Sequence, residues 1–372
     1  MRAILGAAAI LLGCAPPPTS GPEEIHPDAR TSRQIVSSVR RFITDTLRIL
    51  HAPGASICVI RDGSIIWSTG IGMADLEQRV PVTPATRFRI GSVSKALTAV
   101  ALGKLYESGK LDWDAPVQRY VPDFPVKRWP ITVRQVAGHL AGIRHYLPGE
   151  FENQKHYATP AAGLTIFADD TLLFEPGTQY RYSTYGYNLL SVVIEGASGE
   201  SFLSYMQQQV FDRAGMTHTA AEHPDSIIPL RGRYYTRTDS TGSVINAPFV
   251  DNTYKWAGGG FLSTAEDLAR FGQRLLEGRL LRPETRDSLW TSMRTSDGRP
   301  TEYGIGWIVE TDSLGRQRVR HSGGSVGGTA QLVIYPEQKL VVAVLVNSDY
   351  TFIRAMSRYA EPFLEHETAS RR

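Results

Sequence analysis

Between Thr31 and Leu50 the apolar residues Ile35, Val36, Val39, Phe42, Ile43, Leu47 and Leu50 recur at helical spacing, which predicts an amphipathic helix. The pattern then changes to two short apolar runs, Ser56 to Ile60 and Ser64 to Ser68, separated by Asp62-Gly63. That pair favours the positive-φ turn of a tight hairpin. A second helical pattern starts at Ser92 and runs to about Ser108, where Gly109 supplies a stop. The middle of the chain is mostly helical, with long loops bearing Pro and Gly. Within it Ser263-Thr264-Ala265-Glu266 reads as a capping box ahead of Leu268, Phe271 and Leu275. Strand patterns return at 304–310, 317–321, 331–335 and 340–346, with Pro336-Glu337-Gln338 turning between the last two. A final amphipathic stretch carries Phe352, Ile353, Met356, Ala360, Phe363 and Leu364.

Strands at both ends and helices between them predict an α/β fold. One antiparallel sheet is built from both chain ends and flanked by helices, with an inserted, mainly helical lobe. The sheet lobe takes residues 31–90 and 300–372, and the helical lobe 91–299. The cleft between lobes is the expected place for a pocket. The chain has no internal repeat.

The segment ahead of Thr31 has a different character. Arg2 followed by an apolar run from Ala3 to Leu12 reads as a signal peptide over residues 1–13. About ten apolar residues are too few for a spanning helix, which needs roughly twenty. The run ends in Leu11-Leu12-Gly13-Cys14, which resembles a bacterial lipobox, with Cys14 as the lipidated residue and plain secretion as the alternative. Residues 14–30, rich in proline, have the composition of a tether. Together these features predict an exported protein held at a membrane by a lipid on Cys14.

Composition narrows the classes of function. Of 372 residues, 42% are hydrophobic and 21% charged, which is globular and long enough for one large domain or two lobes. The net charge of +3 is small, and no block of Lys and Arg interleaves with aromatics, which speaks against nucleic-acid binding. The one cysteine besides Cys14, Cys58, lies in an apolar run and reads as a small core residue, so no internal disulfide is expected. The nine histidines lack metal-ligand spacing. Neither a metal nor a cofactor is called for.

The chemistry begins at Ser92-Val93-Ser94-Lys95, the only S-x-x-K in the chain. Residues i and i+3 share a helix face, so the Lys95 amine can reach the Ser92 hydroxyl. If Ser92 opens the helix, its N–H points unpaired towards a developing oxyanion, and the positive helix end favours a neutral lysine. A guanidinium could not serve, because it stays charged. The tetrad alone recurs by chance, so context must decide. Two further segments supply it: Tyr182-Ser183-Thr184 and Arg320-His321-Ser322-Gly323-Gly324.

In that order the three motifs resemble the serine β-lactamase/penicillin-binding superfamily, in its class C and D-alanyl-D-alanine carboxypeptidase branch. The resemblance extends to the mitochondrial serine β-lactamase-like proteins of animals and their bacterial relatives. It also runs through 131–135, 139–146 and 248–264, covering about residues 32 to 365. The resemblance implies a β-lactamase/transpeptidase-like fold and a serine hydrolase acting on a small peptide, amide or ester. Ser92 would be acylated, while Lys95 and Tyr182 would accept its proton and return it to the leaving group. The N–H groups of Ser92 and Gly324 would form the oxyanion hole. Thr184, His321, Ser322 and Gly323 would contact substrate, with His321 adding hydrogen bonding and some positive potential. Thr184 stands where many relatives have Asn, which points away from penicillin-type substrates. Peptidase or D-amino-acid carboxypeptidase chemistry leads, with esterase or weak β-lactamase activity as the alternative. An assembly role, as a homo-oligomer, also stays open.

Other residues have plainer readings. Tyr182 sits in a run of four tyrosines, a pattern that packing alone produces. His139, Arg144, His145 and Trp256 read as structural or pocket-wall residues, and Gly258-Gly259-Gly260 as a place where backbone passes close to the site. Gly323-Gly324-Ser325-Val326-Gly327 matches G-x-S-x-G, but a strand pattern follows it where a nucleophile elbow needs a helix.

Overall fold

The computed structural model describes residues 31–238, 242–349 and 357–364. The signal, the tether and Cys14 lie outside the described residues, as do Phe352, Ile353 and Met356. The amphipathic segment forms α1 (Thr31–Ile49). The hairpin follows, with β1 (Gly54–Arg61) longer at both ends than its apolar run and β2 (Ser64–Asp75) extended well past Ser68. Asp62 and Gly63 turn with φ of 48° and 85°. A short edge strand, β3 (Val80–Pro81), completes this half. Then come the three long helices α2 (Ser94–Glu107), α3 (Thr184–Ser198) and α4 (Ala265–Leu276). The chain returns through β4 (Ile308–Thr311), β5 (Gln317–Ser325), β6 (Gly328–Tyr335) and β7 (Leu340–Val346).

Two boundaries differ from the expected ones. The helix cap is Thr264, whose hydroxyl accepts from Asp267 N at 3.1 Å. Ser263 is the last residue of a strand (Phe261–Ser263) and pairs its hydroxyl with Thr219 at 2.7 Å, so it is unavailable as a cap. The strand expected from Gly304 starts only at Ile308. Gly304 N–H donates to Trp307 O at 2.8 Å, closing a turn in which Gly306 has φ of 79°.

The seven strands form one sheet in the order β3-β2-β1-β7-β6-β5-β4. The two chain ends meet at its centre, where β1 and β7 run antiparallel with Ala55 opposite Val346 and Arg61 opposite Leu340. Side chains alternate between faces. Leu340, Val342, Val344 and Val346 join Val36, Val39, Ile43 and Leu47 of α1 on one side. Val341, Ala343 and Leu345 join α2 and α4, through Val100, Leu268 and Phe271, on the other. Burial on both faces explains why 340–346 is a continuous apolar run rather than an alternating one. Cys58, in β1, is fully buried on the α2 side, as its apolar surroundings imply.

Helix α2 is wrapped by protein, and apolar residues cover nearly its whole circumference. Among its buried polar residues is Lys95, at 0% exposure. Among the described residues no helix is long and apolar enough to cross a membrane.

Candidate active site

Ser92 lies in a 3-10 turn (Gly91–Val93) just ahead of α2, rather than opening the α-helix. Strand β5 runs against this turn, backbone on backbone. An ideal Cβ on Gly323 would sit 1.9 Å from Ile90 O and 3.0 Å from Ser92 N, and one on Gly91 would sit 2.5 Å from Gly324 O. Gly91 also has φ of 47°. Only glycine permits this approach. Gly324 differs: a Cβ there meets nothing within 4 Å, so its free side faces open space beside the Ser92 turn. Gly323 is buried beneath it and Ser322 is half-buried.

Lys95 projects from the first turn of α2. Its Nζ is 3.0 Å from Ser92 Oγ, 3.1 Å from Thr184 Oγ1 and 2.6 Å from Gly258 O. All three partners are neutral. Burial therefore holds the amine well below the ordinary lysine range, and Lys255 nearby adds to the effect. The Tyr182 hydroxyl is within hydrogen-bonding reach of Ser92, and Lys95 Nζ lies 4.9 Å from the centre of its ring. Desolvation pushes the phenol well above 10, with the Ser92 hydrogen bond opposing it. Burial thus favours the uncharged form of each group.

Two histidines hold the backbone that follows Tyr182. Ser183 N–H donates to His139 Nδ1 and Thr184 N–H to His145 Nδ1, both at 3.2 Å. The His139 ring lies 4.3 Å from the Tyr182 ring, and His145 meets it edge-on at 5.6 Å. Burial holds His139 well below its usual range and, with Lys95 and Lys255, lowers His145 to about 4. Both rings are neutral, and with Nδ1 accepting, the proton sits on Nε2. Beyond their place in one loop with Gly142, nothing in the local sequence marks these two as a clamp.

Two expected substrate contacts are placed differently. Thr184, at 2% exposure, lies beneath the site on Lys95 rather than on an open wall. His321 is also 2% exposed. Its Nδ1 donates to Ser322 O at 2.7 Å and its Nε2 accepts from the Tyr303 hydroxyl at 2.9 Å. Burial, and then Lys95, lowers it to about 3, so the positive potential expected from it is absent. Ser325 is the last residue of β5, 2% exposed, and a strand rather than a helix follows it. It has none of the setting of a nucleophile elbow.

Sequence reasoning placed the Gly258-Gly259-Gly260 backbone close to the site, as found, but left two groups without a role. The Gly258 carbonyl is the shortest contact of Lys95, and Lys255 is a second buried lysine on the same segment, at 2% exposure. A carbonyl leaves no mark in the sequence, and a lone lysine reads as surface.

The Beta-lactamase family model matches residues 39–362. The chain belongs to the beta-lactamase family. This family member is 33% identical to the human "Serine beta-lactamase-like protein LACTB, mitochondrial", over 84% of this chain and 74% of that protein. It is 26% identical to "Penicillin-binding protein 4*" of Bacillus subtilis (strain 168), over 86% of this chain and 74% of that one. The solved structure of the octameric penicillin-binding protein homologue from Pyrococcus abyssi superposes with a TM-score of 0.77 at 28% identity, over 89% of this chain and 77% of that chain. The beta-lactamase family assignment and these relatives make the chain a serine hydrolase of the β-lactamase/penicillin-binding superfamily, with the corresponding α/β fold.

Proposed function

We propose that this serine hydrolase works through an acyl-enzyme on Ser92, cleaving amide bonds of small peptides in the manner of a D-amino-acid carboxypeptidase. The observation that carries the reading is the Lys95 amine 3.0 Å from Ser92 Oγ, buried among neutral partners that favour its uncharged form. A neutral amine has two N–H groups and one lone pair. Gly258 O and Thr184 Oγ1 can take the two N–H groups, which leaves the lone pair for the Ser92 hydroxyl proton.

Ser92 Oγ attacks the carbonyl carbon as its proton passes to Lys95, with Tyr182 as the second carrier. The oxyanion forms against Ser92 N–H and Gly324 N–H, supported by the close packing of β5 on the Ser92 turn. When the C–N bond breaks, the Tyr182–Lys95 pair returns the proton to the departing amine. Water then attacks the acyl ester and gives a proton to the same pair, which passes it to Ser92 Oγ as the C–O bond breaks, releasing the acid and restoring the Ser92 hydroxyl. Ester cleavage follows the same steps with C–O breaking, and weak β-lactamase activity differs only in the ring that opens.

A panel of D- and L-terminated peptides, simple esters and nitrocefin, run on wild type and Ser92→Ala, tests this. Peptide turnover lost in Ser92→Ala supports the reading. Turnover confined to nitrocefin, or surviving the substitution, rejects it. We further propose that residues 31–372 act as one hydrolase unit, exported and carried on the 14–30 tether by lipid on Cys14. Wild type found unmodified in the soluble fraction would reject the anchor. The octameric relative from Pyrococcus abyssi favours an assembled form, which native mass measurement tests.

A further inference from the structure

Lys255 is buried, and among the described residues no carboxylate forms an ion pair with it. Its Nζ lies against aromatic faces, 4.6 Å from the Phe151 ring centre, 5.1 Å from Tyr254 and 5.5 Å from Tyr146. The carboxylates around it are already engaged. Glu222 takes Arg89 Nε at 2.8 Å and Asn252 Nδ2 at 2.6 Å. Glu150 takes Arg144, the Leu147 N–H and the Tyr185 hydroxyl. Asp251 takes His156 and Thr253. A buried ammonium set against rings, with its neighbouring Glu222 held by Arg89, is costly unless an anion joins it, and aromatic faces repay little of its lost hydration.

The position of Lys255 ties it to the reaction centre. Three residues on, Gly258 O holds the Lys95 amine. Tyr146, one of the three rings, is 4.3 Å from His145, and His145 takes the Thr184 N–H beneath Lys95. Lys255 is also the charged neighbour that acts on Lys95. The Lys255 segment is therefore joined to the Ser92 site through the Gly258 carbonyl and through Tyr146 and His145, whose neutral ring carries its proton on Nε2.

We propose that Lys255 binds a carboxylate carried by the substrate, making this hydrolase selective for acyl donors with a free acidic group near the scissile bond. The proposal rests on Ser92 being the nucleophile. One ammonium flanked by flat rings suits a single planar carboxylate better than a phosphate, which would call for several donors. Binding would supply the missing counter-ion, so part of the cost of burying Lys255 is recovered only when the right substrate is present.

The test compares two p-nitrophenyl esters of glutaric acid, one with the second carboxyl free and one with it methylated. Wild type should favour the free acid in kcat/KM, and Lys255→Met should lower that preference on the order of ten- to a hundred-fold. A purely structural lysine would depress both esters together and leave the ratio intact, which would overturn the proposal. So would a wild type that prefers the methyl ester.

The wild-type ratio against pH gives a reading that does not depend on a folded variant. Burial, with Arg89 beside it and Glu222 opposing, lowers Lys255 to about 7. The ammonium is present below that pH and lost above it, so the preference should shrink as pH rises through neutrality. Lys95, His145, Tyr146 and Tyr254 also face this region, but both esters experience their titration alike and the ratio cancels it. A ratio unchanged from pH 6 to 9 counts against the proposal. Fluorophosphonate labelling of Ser92 in the same samples separates the two claims. Loss of labelling at Ser92 rejects the nucleophile, whereas intact labelling with no carboxylate preference rejects only the role of Lys255.

Discussion

Gly323→Ala should damage the reaction centre without adding any group that reacts. The added Cβ would lie 1.9 Å from Ile90 O, where ordinary contact begins at 3.4 Å, so β5 and the Ser92 turn must part by up to the 1.5 Å difference. The atoms concerned are backbone on both sides, and no flexible side chain can absorb the shift. Overpacking of this kind costs about 1–3 kcal/mol of stability. The larger effect falls on geometry, because Gly324 N–H would be displaced relative to Ser92. A misplacement of about 1 Å costs on the order of a hundred-fold in rate. The assay is the second-order rate of fluorophosphonate labelling, with urea unfolding in parallel. We expect labelling to fall about a hundred-fold while the unfolding transition stays cooperative. Gly324→Ala is the contrast: its Cβ meets nothing within 4 Å, so the fold should be unaffected and the loss should appear as impaired substrate binding. Labelling of Gly323→Ala at the wild-type rate would refute the claim that β5 positions the oxyanion donor.

Four further outcomes are expected. Thr184→Val removes a hydrogen-bond partner of Lys95 and should slow acylation on the order of ten-fold, with Thr184→Ser restoring most of it; equal rates in both would reject the positioning role. Labelling rate against pH should reach its plateau well below the ordinary lysine value of 10.5, because only neutral Lys95 accepts the proton and its range is depressed, and should fall only when Tyr182 ionises, above 10; a rate still climbing steadily up to pH 10 would mean an ordinary lysine. Glu222→Ala leaves Arg89 charged and buried and should cost about 3–5 kcal/mol in urea unfolding, where a loss under about 1 kcal/mol would show the pair to be dispensable. Lys255→Met should stabilise the fold at pH 6: the folded-state value near 7 lies below the unfolded value of about 10.4, so the burial penalty is complete below 7 and vanishes as pH approaches 10.4. The gain in thermal midpoint should shrink accordingly between pH 7 and 10, and a gain growing with pH would contradict this.

The centre of the sheet was legible in the sequence because β1, β6 and β7 are buried on both faces and therefore write long apolar runs, as at 340–346. Asp62-Gly63 declared its turn through the positive φ that both residues adopt. Ser92, Lys95 and Tyr182 were legible as ordered motifs, and the structure brings all three together. Other features depend on contacts across the chain. The cap at Thr264 follows from Ser263 being held in a strand by its tertiary pairing. The charge state of His321 depends on burial against Tyr303, which a residue letter does not encode. His139 and His145 act through Nδ1 on two backbone N–H groups about forty residues away. The setting of Lys255 depends on neighbouring carboxylates being engaged by other residues, which only the tertiary fold decides.

The most direct measurement is peptide mapping of the protein after reaction with a fluorophosphonate, on wild type and Ser92→Ala. The account predicts one adduct on the peptide carrying Ser92, absent from the variant. An adduct on Ser325, or a wild type that takes no label, would contradict it.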